Sequence, residues 1–277
     1  MAAKNKIGIC EWAMPITGPY VCTFIGEIGY DGVQVGIGSY EKRFELSWKV
    51  TQDAYRELAA EYGVEFASVA TRALDFYSLF APAGSEEQNA ALASIEKGIK
   101  ACEALDAQVF LLPNFVKSEA NTPEKVKLLV QHLQWACDLA ADSGVLVAEE
   151  NVFSVEDTIR LFDAVDRENL RLYFDLQNYY LHRHVHTPEI IEPLMPYIVQ
   201  VHAKDGKNGD LSGAPLGEGD VDLMASLAEL QRLGYDGWIV NENYYDVPPL
   251  VNEGDDPVEK IRNDLVTLRR ALGQDQN

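Results

Sequence analysis

Positive charge is scarce in this chain: 23 Lys and Arg stand against 44 Asp and Glu, a formal net charge of −21. A surface of that sign repels phosphate backbones and anionic membranes, so neither nucleic acid nor a lipid surface is an expected partner. Long hydrophobic runs are missing too, since no stretch approaches the roughly 18 apolar residues that span a bilayer. Cysteine is sparse. Cys10, Cys22, Cys102 and Cys137 form no CxxC pair, which argues for reduced thiols and against a zinc ribbon or a disulfide framework. The opening MAAKNKIGICEW runs almost at once into an apolar strand and lacks the layout of a secretion signal, so a cytoplasmic protein is expected. The GxGxxG turn of dinucleotide-binding sheets is absent after that first strand.

What the chain does have is alternation. Its 277 residues are 47% hydrophobic, enough for a sizeable core. Strand-like runs occur at Ile7–Trp12, Gly29–Gly36 (with its turn), Val64–Arg72 and Ala107–Phe115. Four more follow at Val145–Asn151, Leu170–Asn178, Tyr197–Asp205 and Gly237–Tyr245. Helical spacing fills the intervals: after Tyr20, then over Leu46–Tyr62, Ser85–Leu105, Thr122–Asp142 and Ser154–Val165. Pro188–Met195, about Val221–Leu233 and Pro257–Leu272 complete the series. Ser85 and Ser154 read as N-caps, Pro123 as a first-turn proline, and Gly63 as a helix-ending glycine. Strand then helix, eight times with no long linker, predicts an α/β fold: a (β/α)₈ TIM barrel forming one domain over residues 1–277.

Four consecutive strands end in metal-ligand residue types: Glu150, Asp175, His202 and Glu242. In a barrel these ends lie side by side on the rim that carries the chemistry. Three carboxylates gathered there repel one another unless a cation sits among them. Three oxygen donors and one imidazole suit Mn²⁺ best, with Mg²⁺, Co²⁺ and Zn²⁺ as alternatives. Any one of these residues alone reads as an ordinary polar group in a loop; the set of four reads as one divalent metal site.

With those residues in place, the chain resembles the sugar isomerase/epimerase family of xylose isomerase-like barrels. The resemblance rests on Glu150-Asn151, Asp175 in YFDLQN, His202-Ala203-Lys204-Asp205, the loop Pro215–Asp220 and Glu242. It implies a metal bound by Glu150, Asp175, His202 and Glu242, with Glu150 and Glu242 also acting as acid and base. Coordination of a carbonyl and its neighbouring hydroxyl acidifies the adjacent C–H and stabilises an enediolate. Two carboxylates can then remove and return the proton, giving isomerisation or epimerisation. Expulsion of a β-leaving group instead gives a dehydratase or lyase. A non-catalytic sugar-binding or partner subunit is the third reading.

Two departures separate this chain from ketose 3-epimerases. Asn178 stands where many relatives have a histidine, and the segment GKNGDLSGAPLGEG carries no arginine. The HxKD pattern is closer to inosose dehydratase-like relatives. Lys204 is a candidate donor to a substrate hydroxyl, or else pairs with Asp205 or Glu218 outside the site. Glu218, Asn178, and His182 or His184 of an extended LHRHVH loop are further candidate substrate contacts. The alternative for that loop is plain surface or a protomer contact. Trp12 and Tyr244 could stack on the C–H face of a sugar, or pack under loops. Acids in the loop after the seventh strand disfavour a phosphate, so the expected partner is an unphosphorylated sugar or polyol, handled by a homo-oligomer.

Overall fold

The computed structural model of the chain describes residues 5–274. The elements are β1 (Ile7–Cys10), α1 (Tyr20–Ile28), β2 (Gly32–Gly36), α2 (Lys49–Tyr62) and β3 (Glu65–Ala70). Next come α3 (Glu86–Leu105), β4 (Val109–Pro113), α4 (Pro123–Ala140), β5 (Leu146–Glu150) and α5 (Val155–Val165). The chain continues through β6 (Leu170–Asp175), α6 (Asn178–Arg183), α7 (Pro188–Leu194) and β7 (Ile198–Ala203). It closes with α8 (Leu223–Arg232), β8 (Trp238–Asn241) and α9 (Pro257–Ala271). The strands hydrogen-bond in chain order, β1 to β8, as a closed barrel, the expected (β/α)₈ TIM barrel. Among the described residues no helix is long and apolar enough to cross a membrane.

Helix starts follow local chemistry. The hydroxyls of Ser85, Thr122 and Ser154 accept the amides of Gln88, Lys125 and Asp157, and so cap α3, α4 and α5. On α5, Thr158, Leu161, Phe162 and Val165 are buried, the i, i+3, i+4, i+7 stripe of a helix lying on a sheet. Gly63 ends α2 at φ 68°, and the Val64 amide reaches back to the Ala59 carbonyl at 2.9 Å. The N-terminal part of the expected Leu46–Tyr62 helix is a separate 3₁₀ turn, Glu45–Ser47. Trp48 breaks the run there in an extended conformation.

Packing divides the chain into two units. One holds Ala59–Glu65, Phe174–Asn277 and the chain before Gln34; the other holds Gln34–Leu58 and Phe66–Tyr173. In the first, β8 pairs in parallel with both β1 and β7, in the registers Ile9↔Asn241 and His202↔Val240. In the second, β4 pairs with β5 from Val109↔Leu146 to Pro113↔Glu150, and β5 with the start of β6. All five β4 residues are buried, as expected of a strand covered on both faces.

Within the second unit α3 approaches β4 so closely that a Cβ on Gly98 would overlap the ring of Phe110, which is fully buried. Gly98→Ala should therefore destabilise the protein by about 1–2 kcal/mol in urea denaturation, overpacking outweighing the helix propensity gained.

Candidate active site

The site is assembled at the carboxyl ends of β1, β6, β7 and β8. Each strand contributes side chains at or next to its last residue: Cys10, Asp175, His202 with Lys204, and Glu242. Backbone bonds lock these ends together. The Leu176 amide donates to the His202 carbonyl at 3.0 Å, and the Glu242 amide to the Ala203 carbonyl at 3.0 Å.

Asp175 is held from one side. Its Oδ1 accepts the amides of Gln177 and Asn178, both at 2.7 Å. Those same amides open α6, so the carboxylate also starts that helix. The other oxygen, Oδ2, accepts no hydrogen bond of ordinary geometry; it lies 3.0 Å from Lys204 Nζ and 3.7 Å from His202 Nδ1. We read the 3.0 Å approach as an ion pair, because the distance and opposite charges suffice without an ideal angle.

Glu242 is gripped on both oxygens. Trp12 Nε1 donates to Oε1 at 3.0 Å and Lys204 Nζ to Oε2 at 2.7 Å, while His202 Nδ1 lies 3.3 Å from Oε2. Burial pushes the Glu242 carboxyl up, but the neighbouring His202 and Lys204 charges and the two donors outweigh it, leaving it below the usual carboxylate range. The Trp12 ring stands edge-on to the His202 imidazole, with centroids 6.4 Å apart. On the far side of that imidazole, Nε2 faces Cys10 Sγ at 3.6 Å.

The donor set fits a hard divalent cation. His202 Nδ1 lies 3.7 Å from Asp175 Oδ2 and 3.3 Å from Glu242 Oε2, spacings near the ~3 Å separating adjacent ligands of a small octahedral ion. Cys10, His202 and Glu242 also form a buried group of ligand atoms lying within 4.8 Å of one another.

The remaining expected residues are placed as follows. Glu150, in the other unit, is the last residue of β5 and is buried; its carbonyl accepts the Asn114 amide at 2.9 Å. Beside it Glu149 is fully buried, bonded to Asn114 and Asn151, and its carboxyl is raised by burial to about 7. Asn178 is buried at the start of α6, and Tyr244 is half-buried with its amide on Ser212 Oγ at 2.7 Å. Glu218, His182 and His184 are exposed. The histidine segment is only in part the extended loop read from sequence: Leu181–Arg183 is the end of α6, His184 caps that helix at φ 53°, and Val185 and His186 lie beyond it. Lys204 forms ion pairs with the two acids of the site, Asp175 and Glu242.

Sequence reasoning missed Cys10, which sits at a strand end exactly as the ligands do but was read only for disulfides. Asp205, read only as part of the motif or as a partner for Lys204, has a role that was not read. That carboxylate accepts the amides of Gly206, Gly217 and Gly219 at 2.9–3.0 Å and pins the loop following β7. A side chain at Gly219 would collide with it, which explains the glycine. A second buried acid, Asp264 on α9, accepts the Leu216 amide at 3.0 Å, Asn243 Nδ2 at 2.9 Å and the Tyr245 hydroxyl at 2.6 Å.

A search with family models places residues 22–270 in the xylose isomerase-like TIM barrel family, and the chain belongs to that family. It is 24% identical over 229 residues to 2-epi-5-epi-valiolone 7-phosphate 2-epimerase of Actinoplanes sp., covering 82% of each chain. It is 25% identical over 251 residues to L-ribulose-5-phosphate 3-epimerase UlaE of Salmonella heidelberg, covering 86% of each. Among solved structures, the 3-keto-D-glucoside 4-epimerase YcjR from E. coli shares the fold at a TM-score of 0.76 and 18% identity, over 96% of this chain and 100% of that one. The chain thus falls among relatives that are sugar epimerases.

Burial raises the Asp264 carboxyl to about 6. A carboxyl raised on folding binds more protons folded than unfolded, so stability falls as pH rises from about 4 to 6. Asp264→Asn should flatten that slope, worth up to about 3 kcal/mol, in urea melts across this range.

Proposed function

We propose that this protein is a divalent-metal-dependent isomerase or epimerase of an unphosphorylated ketose or keto-polyol, acting by proton abstraction beside the carbonyl. The observation that carries the reading is buried His202, whose Nδ1 faces the buried carboxylates of Asp175 at 3.7 Å and Glu242 at 3.3 Å. Glu150, ending the strand that precedes β6 in the barrel order, is proposed as the fourth ligand. Mn²⁺ is the preferred ion for a site of three carboxylates and an imidazole. Such an ion supplies electrophilic polarisation of the substrate carbonyl.

The protein side of the chemistry follows from the charges. Glu242 and Glu150, both carboxylates, take the proton from the carbon next to the carbonyl and return it, one on each face of the sugar. Lys204 donates to a substrate hydroxyl. Asn178 can hydrogen-bond a hydroxyl but cannot shuttle a proton at neutral pH. Trp12 and Tyr244 cover the apolar face of the sugar and keep water from the reacting carbon, while Glu218 and His182 or His184 are assigned to the substrate rim. The two curated relatives are named for phosphorylated substrates. In this chain the segment Gly206–Asp222 holds one cation, Lys207, against Asp210, Glu218, Asp220 and Asp222, a balance that favours an uncharged substrate.

Asn178 and the lack of an arginine in the loop after β7 favour a second reading, β-elimination by a dehydratase or lyase at the same site. The two readings separate on product mass.

NMR in D₂O of Mn²⁺-loaded protein with ketoses, keto-inositols and 3-keto-glycosides, each with and without phosphate, tests the proposal. Deuterium should enter at the carbon beside the carbonyl of an unphosphorylated compound with the skeleton intact. Glu150→Gln and Glu242→Gln should each slow that exchange by about 10²–10⁴-fold, and EDTA should abolish it. Loss of water or of an aglycone would establish the lyase reading instead.

A further inference from the structure

The two carboxylate oxygens nearest His202 Nδ1 are also held by a cation belonging to the chain. Lys204 Nζ lies 2.7 Å from Glu242 Oε2 and 3.0 Å from Asp175 Oδ2. The Lys204, Asp175 and Glu242 side chains are only 4%, 0% and 9% exposed, so water does little to neutralise either acid. An ammonium bridging two buried carboxylates compensates them directly. The carboxylate of Asp205, the next residue, accepts three loop amides.

Those same two oxygens are the ones facing His202 Nδ1, which makes them ligands in the metal reading above. A divalent cation and an ammonium sharing one pair of oxygens in a dry site repel each other strongly. We infer that Lys204 is an internal counter-ion that competes with the divalent cation for Asp175 and Glu242. Metal entry displaces the ammonium from both acids and turns it toward the substrate. The inference rests on the proposed metal site and adds a specific cost to filling it. Before loading, the lysine keeps the acids neutralised and the strand ends together; after loading, the same side chain is available as a hydroxyl donor.

Titration calorimetry of Mn²⁺ into the metal-stripped full chain tests this, comparing wild type, Lys204→Gln and Lys204→Arg. Removing the charge in Lys204→Gln should tighten Mn²⁺ binding by about tenfold or more, whereas Lys204→Arg should bind no more tightly than wild type. In EDTA, Lys204→Gln should melt about 5 °C or more below wild type, and saturating Mn²⁺ should erase the difference. Equal or weaker binding by Lys204→Gln overturns the competition while leaving the metal site standing. Mn²⁺ binding to none of the three overturns both. A Lys204→Gln chain that stays unfolded even in saturating Mn²⁺ also overturns it, since the metal should replace the lost charge.

Discussion

Two acids, an imidazole and an ammonium occupy one nearly dry space, and the first unit is arranged around keeping them compatible. Burying a carboxylate costs several kcal/mol unless a partner compensates it. Asp175 meets that cost with two amides on one oxygen and a lysine at the other; Glu242 does so with an indole N–H and the same lysine. None of these partners is a flexible surface group. They come from α6, the turn after β1 and the residue just beyond β7, so the electrostatics of the site and the docking of strand ends are one problem. Removing one charge here leaves its partner stranded, which is far more costly than never having buried the pair.

Around this cluster lies a shell of acids used as acceptors for backbone and side-chain donors. Asp205 and Asp264 both take loop amides between Gly206 and Gly219, and Asn243 ties them together: its Oδ1 accepts the Asp205 amide at 3.1 Å while its Nδ2 donates to Asp264. A chain with 44 acids can use them this way because a carboxylate accepts several N–H bonds without a counter-ion. The loop that follows β7 is thereby fixed by buried oxygens behind it, which leaves exposed Glu218 at its outer turn free of any structural duty of that kind.

The scaffold was legible because it is written in local signals. Capping hydroxyls at Ser85 and Ser154, the first-turn Pro123, the glycine at Gly63 and Asp175, His202 and Glu242 at strand ends depend on short-range chemistry and on alternation, and the barrel follows from them. What could not be read were partners set by strand register. The alternative partners read for Lys204, Asp205 and Glu218, are near in sequence, whereas parallel pairing of β7 with β8 brings it to Glu242, 38 residues away. Cys10 is invisible for the same reason, being 192 residues from His202. The α6 helix was hidden differently: its start is created by a side chain, Asp175, that sequence reasoning had already assigned wholly to ligand duty. One oxygen of that carboxylate holds the helix start, and the other faces Lys204 and His202.

That division of labour bears on how the proposed base is controlled. A carboxylate abstracts a proton with a lone pair that is not already engaged. Glu242 has a strong donor on each oxygen and a carboxyl held below the usual range, so in the arrangement with Lys204 bound it is a stable anion and a weak base. Trp12 is a neutral donor anchored in the turn after β1, and its bond orients the carboxylate without taking up its charge. Lys204 is the donor on a flexible stem, and the one with a second task available near the substrate. Release of the ammonium from Oε2, as inferred above, would free a cation for the substrate's hydroxyls. In the arrangement seen here the ammonium holds the buried pair of acids apart from each other.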